Sequence, residues 1–162
     1  MNWTIRNGRA GDEIDLMALL PMTSGRTAEV VQDELRRALT TEQEAGRRLY
    51  LLATEGERVI GYSQAQLFTP PEAPPDRCVP PGGYLMGVFV HKDYRRQGVA
   101  RAFMAPRIAW LRPRCHDIYY FTGPENHVSV ALHAAVGFEP VATNMSIPGA
   151  PLMVGKTLHR LF

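Results

Sequence analysis

Apolar residues recur along the chain at two spacings, and the spacing predicts where strands and helices lie. Runs rich in β-branched and aromatic residues predict five strands, over residues 3–6, 48–53, 59–68, 84–90 and 116–122. Apolar residues at helical spacing predict helices over about 12–20, 27–39 and 95–112, with Asp12 as the N-cap of the first. Pro106 predicts a kink or a displaced turn in the third helix.

The last third of the chain continues the pattern of strands and helices. A helix is expected to start at Asn126 or Ser129 and to end at Gly137, after which Phe138 packs back. Residues 139–146 and 152–161 predict a final antiparallel pair, bridged by Pro148-Gly149. The resulting order, β-α-α-β-β-β-α-β-α-β-β, indicates an α/β domain with a mixed, mostly antiparallel sheet.

A chain of 162 residues is expected to form one domain, spanning residues 1–162. Residues 70–82 contain six prolines and little that could pack, so they predict a loop inside this domain. Such a loop could be a lid or substrate wall, or an exposed insertion, and the sequence leaves both open. The helix at 27–39 places Val30, Val31, Leu35 and Leu39 on one side and charged residues on the other, which predicts a solvated face with ion pairs.

Composition narrows the class of protein. A hydrophobic content of 45%, a charged content of 21% and a net charge of +2 are ordinary for a soluble globular protein and show no footprint for nucleic acid. No apolar run reaches membrane-spanning length, and the first residues do not resemble a signal peptide. Cys78 and Cys115 are interpreted as reduced thiols of a cytoplasmic protein, and no Cys/His spacing suggests a zinc site.

One stretch, residues 84–104, carries the chemistry. Residues 84–90 suit a buried strand, His91-Lys92-Asp93 breaks the apolar run, and residues 95–101 open a helix. Gly98 and Ala100 keep the first helical turn free of bulk. The first N–H groups of a helix lack internal partners, so this turn suits a phosphate or pyrophosphate, with added positive charge from Arg95, Arg96 and Arg101.

Three nucleotide-binding designs share a glycine-rich helix start. A Walker A loop needs Gly-Lys followed by Ser or Thr, and a dinucleotide fingerprint needs G-x-G-x-x-G; this stretch has neither. It has Arg95-x-x-Gly98-x-Ala100, which resembles the acetyl-CoA signature of the GCN5-related N-acetyltransferase (GNAT) family. About thirty residues later, the stretch from Asn126 to Gly137-Phe138 resembles that family's second conserved block.

The resemblance implies acetyl-CoA as cofactor and a sheet of six or seven strands with about four helices. It implies that the central strands splay at a bulge, which Gly87 would mark, although Gly87 could instead be a packing glycine. Val88 would present its backbone N–H to the thioester oxyanion, and Asn126 would contact the pantetheine arm. The remaining cofactor contacts would be Phe89, Val90, Arg95, Arg96, Gln97, Gly98, Val99, Ala100 and Arg101.

Two departures from the family pattern concern proton transfer. Many members carry Glu or Asp on the strand before the bulge, whereas this chain has Tyr84-Leu85-Met86; relatives such as the aminoglycoside 6′-N-acetyltransferases have Glu where Met86 stands. Many members also carry a general-acid Tyr four residues before the Gly-Phe pair, where this chain has His133. Imidazole can donate a proton near neutral pH, so His133 is either a general acid or a packing residue.

The resemblance therefore implies an N-acetyltransferase that moves acetyl directly to a primary amine of a small molecule or peptide. The helices at 12–20 and 27–39 would overhang the substrate, and Glu29, Asp33 or Glu34 would attract a cationic amine. A homodimer is possible, since dimers are common in the family. The alternatives are a non-catalytic acyl-CoA-binding or sensor domain and a nucleotide-binding protein of another class.

Overall fold

A computed structural model describes residues 2–20, 26–148 and 155–162 of the chain. The strands are β1 (Thr4–Asn7), β2 (Arg48–Glu55), β3 (Arg58–Phe68), β4 (Gly82–Val90), β5 (Ile118–Thr122), β6 (Phe138–Thr143) and β7 (Thr157–Leu161). The α-helices are α1 (Glu13–Leu19), α2 (Ala28–Arg37), α3 (Val99–Ala102), α4 (Met104–Leu111) and α5 (His127–Ala134). The bridge expected at Pro148-Gly149 lies partly outside the described residues.

The strands form a mixed sheet in the order β1-β2-β3-β4-β5-β7-β6. Strand β4 pairs with β5 in parallel, from Gly83 opposite Ile118 to Leu85 opposite Tyr120. The pairs β1–β2, β5–β7 and β6–β7 are antiparallel. The predicted order of elements and the predicted mixed α/β sheet are therefore confirmed.

By density of contacts, the chain divides into two compact units: Met1–Ala65 with Gly87–Trp110, and Gln66–Met86 with Leu111–Phe162. The expectation of a single domain over residues 1–162 stays a prediction. In the first unit, α1 and α2 cover one face of β2 and β3. Leu16, Leu35, Leu39, Tyr50 and Leu52 form the centre of that core.

Buried carboxylates fasten the start of α1. The Asp12 side chain was expected to cap the helix, but it makes no cap hydrogen bond. It instead accepts two hydrogen bonds of 2.8 Å from the Arg6 guanidinium and one from the Arg9 N–H. The next residue, Glu13, accepts from the Gly11 N–H and from Arg36 of α2. Asp12 is thus the N-cap residue of α1, as predicted, but its side chain bonds to a cation on β1 and to the Arg9 N–H instead of to a helix N–H.

Helix α2 is capped by Thr27, whose hydroxyl accepts from the Val30 N–H. Leu35 and Leu39 are buried as expected, but Val30 is 48% exposed, so its assignment to the apolar side was wrong. After Arg37 the chain forms one π-helical turn, Ala38–Glu42, which brings both Ala38 and Leu39 into the core. The apolar stripe of α2 therefore starts at Val31, which is half-buried, four residues before Leu35.

The kink expected from Pro106 is observed three residues earlier, as an interruption at Phe103 between α3 and α4. A proline ring clashes with the carbonyl four residues before it and cannot donate to it, which disturbs the helix on its N-terminal side. Phe103 is fully buried, and its carbonyl accepts a hydrogen bond from the Arg107 guanidinium. The displaced turn is thereby held in place by a side chain.

In the second unit, the proline-rich segment is only partly a free loop. Residues 71–77 are exposed, but Val79 is 2% exposed and belongs to the core formed with Tyr84, Tyr119 and Leu158. The backbone of Val79 and Arg77 hydrogen-bonds to Ser146 on both sides. The expectation that residues 70–82 contain little that could pack was therefore wrong for their last third.

Acid should destabilise the protein by protonating Asp12 and Glu13. Burial alone would raise the pKa of each carboxyl, but hydrogen bonds from Arg6 and Arg9 to Asp12, and from backbone N–H groups and Arg36 to Glu13, lower both below the ordinary 3.8 and 4.5. A lowered folded-state pKa stabilises the fold above these values, and that stability is lost as the pH falls through them.

We therefore expect Asp12→Asn to reduce the free energy of unfolding at pH 7 by about 2–3 kcal/mol and to flatten its decline toward pH 3. Urea unfolding across this pH range measures both effects. Asp15→Asn, at an exposed position of the same helix, should change the unfolding free energy by less than about 0.5 kcal/mol. Equal effects of the two variants would contradict the assigned role of Asp12.

Candidate functional site

Strand β4 changes character halfway along its length. Gly83, Tyr84 and Leu85 are buried, whereas Gly87 is exposed and Val88 is 41% exposed. The prediction of a strand buried throughout was therefore wrong for its second half. The second half of β4 is therefore accessible to a ligand.

Arg95 holds the end of β4. Its Nε donates to the Val90 carbonyl at 3.0 Å, and its guanidinium lies 5.9 Å above the centre of the Phe89 ring. The Val90 carbonyl is thus already bonded by Arg95. Arg95 therefore shapes the strand end as well as contributing positive charge.

The connection from β4 to α3 adopts two left-handed residues. After a short 3₁₀ turn at Lys92–Tyr94, Arg96 has φ +62° and Gly98 has φ +84°. Gly98 is the N-cap of α3, and no atom of the described residues lies within 4 Å of the point where a Cβ would sit on it. When right-handed and left-handed residues alternate, successive backbone N–H groups point into one concavity, and such a concavity binds anions.

Most backbone N–H groups of this turn have no hydrogen-bond partner among the described residues. The N–H of Tyr94 bonds to His91 and that of Ala102 bonds to Gly98, but the N–H groups from Arg96 to Arg101 have no hydrogen-bond partner among the described residues. Val99 is 2% exposed and anchors the turn, while Arg95, Arg96, Gln97, Gly98 and Arg101 are exposed. The turn therefore combines N–H groups that have no partner in the described ranges with exposed arginine side chains.

The direction of the β4 donors follows from one hydrogen bond. The His91 N–H donates to the Ile60 carbonyl of β3 at 2.8 Å. Because N–H groups along an extended strand point alternately to its two edges, those of Val90 and Val88 point away from β3. The Val88 donor is thus aimed from the exposed half of β4, as its expected role requires.

Gly87 is not required by packing within the protein. A Cβ on Gly87 would come no closer than 3.4 Å to Gln64 Nε2 and 3.5 Å to Tyr62 Oη, which are ordinary contacts. By contrast, a Cβ on Gly83 would lie 2.6 Å from Leu111 and 2.7 Å from Cys115, so Gly83 is a packing glycine. The sequence did not single out Tyr62 and Gln64, although their spacing of two residues places both on one face of β3.

In the second unit, Asn126 acts as the N-cap of α5. Its Oδ1 accepts from the Ser129 N–H at 3.3 Å. The side-chain NH₂ of Asn126 is exposed and has no hydrogen-bond partner in the described ranges. The capping role and a donor role toward a ligand are therefore compatible, since they use different atoms.

His133 is buried in an aromatic stack. It is 6% exposed, its ring lies 3.6 Å from that of Tyr120, and Phe138 packs edge-on against it at 5.4 Å. Its Nδ1 lies 2.8 Å from the Ser129 carbonyl, which can only accept, so Nδ1 carries the proton. Nε2 is consequently the nitrogen that would exchange a proton with a ligand.

The expected carboxylates of α2 are mostly engaged in ion pairs. Glu34 pairs with Arg26, and Asp33 pairs with Arg36 at 3.1 Å. This is the solvated, ion-paired face that the charge pattern predicts. Glu29 is exposed and, in the described part of the chain, has no ion-pair partner.

Comparison with known proteins decides the family. The sequence profile of the family described as "Acetyltransferase (GNAT) family" matches residues 16–138, which is most of the chain. The chain belongs to the GNAT family. The expected resemblance is thereby confirmed, and the match includes both the 95–101 turn and Asn126 to Phe138.

Individual relatives are more distant. The chain is 37% identical over 57 residues to an aminoglycoside N(6′)-acetyltransferase type 1 of Salmonella typhimurium, a match that covers 35% of this GNAT chain and 39% of the relative. The matched part thus spans about two fifths of that curated relative's length.

Solved structures show the same fold over nearly the whole length. The PaiA N-acetyltransferase of Thermoplasma acidophilum, in complex with coenzyme A, superposes with a TM-score of 0.69 at 11% identity and covers 99% of both chains. A ribosomal-protein-alanine N-acetyltransferase of Brucella melitensis gives 0.69 at 23% identity, covering 97% of this chain and 98% of its own.

No group of three His, Cys, Asp or Glu side chains within residues 2–20, 26–148 and 155–162 is arranged to hold a metal ion. The helices in these ranges are all too short or too polar to cross a membrane. Cys78 and Cys115 are both free thiols, as expected.

Proposed function

We propose that the protein is an acetyl-CoA-dependent N-acetyltransferase that transfers acetyl directly to a primary amine. The observation that carries the proposal is the turn from Arg96 to Arg101, in a chain of the GNAT family. Its six backbone N–H groups have no partner in residues 2–20, 26–148 and 155–162 and lie beside exposed arginines. The coenzyme A complex of the PaiA relative and the names of the acetyltransferase relatives support the same assignment.

The residues present fit the cofactor. The diphosphate would accept from the N–H groups of Arg96, Gln97, Gly98, Val99, Ala100 and Arg101, and the open space at Gly98 leaves room for its oxygens. Arg95, Arg96 and Arg101 would supply complementary charge. Phe89, Val90 and the NH₂ of Asn126 would line the pantetheine arm.

When bound, acetyl-CoA supplies an acyl group on a good leaving group, since a thiol with a pKa of about 8.5 departs without much help. The chain's part is to hold the carbonyl near the Val88 N–H, which points away from β3 and would donate to the oxyanion as it forms. The lone pair of an unprotonated amine would attack the carbonyl carbon to form the C–N bond. The C–S bond would then break with its electron pair leaving on the CoA sulfur, and the proton lost from nitrogen would go to solvent.

The substrate class is a small-molecule or peptide amine. The aminoglycoside relatives point to the first and the ribosomal-protein relative to the second. No carboxylate stands at Met86, so the amine lacks the base that the strand provides in many family members. A cytoplasmic location and a homodimer stay predictions.

The test is to supply purified protein with acetyl-CoA and a panel of primary amines and to follow release of free CoA thiol. The proposal predicts amine-dependent release and an acetylated amine by mass spectrometry. Binding of acetyl-CoA without turnover on any amine would instead support the non-catalytic acyl-CoA-binding alternative. A thermal shift with ATP or NAD but not CoA would contradict both.

His133 is the candidate acid for the departing thiolate, through Nε2. We expect His133→Phe, which keeps an aromatic ring in the stack with Tyr120, to lower kcat by about tenfold with unchanged affinity for acetyl-CoA. The reduction is modest because the thiolate is already a good leaving group. Steady-state kinetics at pH 7 and 9 measure it, and an unchanged kcat at both pH values would assign His133 to packing alone.

A further inference from the structure

Two polar side chains of β3 end beside the bare backbone of Gly87. The distances from the Cβ position of Gly87 are 3.4 Å to the Gln64 amide and 3.5 Å to the Tyr62 hydroxyl. Neither polar group has a hydrogen-bond partner among the described residues, although Tyr62 is 8% exposed and Gln64 is half-buried. We call Tyr62, Gln64 and Gly87 the polar notch.

Polar groups that have no partner among the described residues and lie beside an open backbone position are available to hydrogen-bond a ligand. Gly87 immediately precedes Val88, whose N–H is the proposed oxyanion donor. A molecule that fills the polar notch is therefore adjacent to the reacting carbonyl. The Phe89 ring, parallel to that of Tyr62 at 6.4 Å, forms an apolar wall beside it.

The polar notch is rigidly built. Tyr50, Tyr62 and Phe89 stack as a ladder with 6.4 Å between neighbouring rings. The Gln64 carbonyl accepts a hydrogen bond from the buried Arg107 guanidinium, which fixes the β3 backbone at that residue. Side chains held in this way can orient a ligand without first being ordered.

Among the described residues, the charged groups recorded in contact with Gln64 and with the neighbouring Phe89 are cations. Burial, with a smaller contribution from Tyr50, raises the pKa of Tyr62 to about 12, so its hydroxyl stays protonated. Arg107 and Arg95 approach from α4 and the end of β4, and both are cations. On α1 and α2, Glu13 is bonded to Arg36 and Glu34 to Arg26, whereas the exposed Glu29 has no ion-pair partner in the described part of the chain.

We propose that Tyr62 and Gln64 position the amine substrate, an inference that rests on the proposed function. The site would select a weakly basic primary amine, which binds unprotonated. A hydroxyl and a carboxamide can each accept from a neutral NH₂ group and donate to its neighbouring polar atoms. They provide no negative charge to hold an ammonium ion. The α-amine of a peptide and an aromatic amine share the required chemistry.

The selectivity follows from the fraction of neutral amine. At pH 7.5 an α-amine with a pKa of about 7.9 is roughly 30% unprotonated, whereas an alkyl amine with a pKa of about 10.4 is roughly 0.1% unprotonated. The greater nucleophilicity of the alkyl amine offsets part of this difference. We therefore expect kcat/KM for the α-amine to exceed that for the alkyl amine by at least about tenfold at pH 7.5.

The experiment compares three acceptors: a peptide whose one amine is its α-amine, the same peptide with a blocked N-terminus and one Lys, and an aromatic primary amine. For each, kcat/KM should rise with pH and level off near the pKa of the acceptor itself. Faster turnover of the Lys peptide at pH 7.5, or one plateau pH shared by all acceptors, would overturn the selectivity. Turnover of only the α-amine peptide, or of only the aromatic amine, shows which of these two amines is the acceptor.

Variants test the two positioning residues directly. Tyr62→Phe and Gln64→Met should each lower kcat/KM about five- to tenfold, with unchanged affinity for CoA. Each should lower by the same factor the affinity for a conjugate in which an acetyl group links CoA to the acceptor amine. Tyr50→Phe, which removes a hydroxyl from the same ladder away from Gly87, should change neither. Conjugate affinity measured by calorimetry gives a readout that does not depend on turnover.

Failure of the two proposals gives different results. If the wild-type protein does not bind CoA, the proposed function fails and this inference falls with it. If CoA and the conjugate bind but both variants match the wild type, the acetyltransferase assignment stands and the polar notch is not the amine site.

Discussion

Gly98→Leu is expected to weaken binding of acetyl-CoA by at least about a hundredfold while leaving the protein folded. Gly98 has φ +84°, and a side chain there would extend into the open space where the diphosphate is proposed to lie. Displacing the anion from several N–H groups would remove charge-assisted hydrogen bonds, each of about 1.5–3 kcal/mol. Two such bonds account for a hundredfold loss.

A matched control separates ligand exclusion from backbone strain. Gly56, in the turn between β2 and β3, also has a positive φ, +59°, and open space at its Cβ position. Gly56→Leu should incur the same left-handed strain of about 1–2 kcal/mol as Gly98→Leu. Calorimetric titration should show wild-type affinity for Gly56→Leu; equal loss in both variants would mean that strain alone explains the Gly98 effect.

Gly87→Ala is expected to give a stable protein with little activity. The added methyl would make ordinary contacts at 3.4 and 3.5 Å with Gln64 and Tyr62, so the melting temperature should change by less than about 3 °C. The methyl would occupy the space beside Val88 through which the thioester and amine approach each other. A displacement of about 1 Å at a reacting centre can cost about 10²-fold in rate, and we expect a loss of that size in kcat/KM.

Gly83→Ala, on the same strand, is expected to lower the stability of the protein more than its activity. Its methyl would come within 3 Å of Leu111 and Cys115, so the core must shift, at a cost of about 1–3 kcal/mol. Thermal melts and kcat/KM of the two variants, measured side by side, test this contrast. A Gly87→Ala enzyme with near wild-type kcat/KM would contradict a ligand approach at Gly87.

Local signals predicted the elements of the fold because strands and helices are short and well punctuated in this sequence. Thr27 starts α2 and Gly137, with φ +108°, ends the turn after α5, and both act within a few residues. What failed depended on distant partners. Asp12 bonds to Arg6 of β1 instead of its own helix, and Val79 enters a core assembled from β4, β5 and β7.

Some parts of the candidate site could be predicted from the sequence, and others could not. The 95–101 turn is one contiguous segment, so a sequence motif can describe it completely. The polar notch joins two side chains of β3 to a backbone position of β4 that is more than 20 residues away, and only pairing of the strands shows that Gln64 and Tyr62 meet Gly87. The exposure of Val88 was also unpredictable, because an apolar residue in a strand is usually buried.

The N–H groups from Arg96 to Arg101, which have no partner among the described residues, are proposed to donate to the diphosphate of coenzyme A. Amide ¹H–¹⁵N spectra recorded during titration with CoA report on each of these donors separately. The largest shift changes should fall on the amides of residues 96–101 and saturate with the calorimetric affinity. Saturable binding that leaves those six amides unmoved would contradict the account.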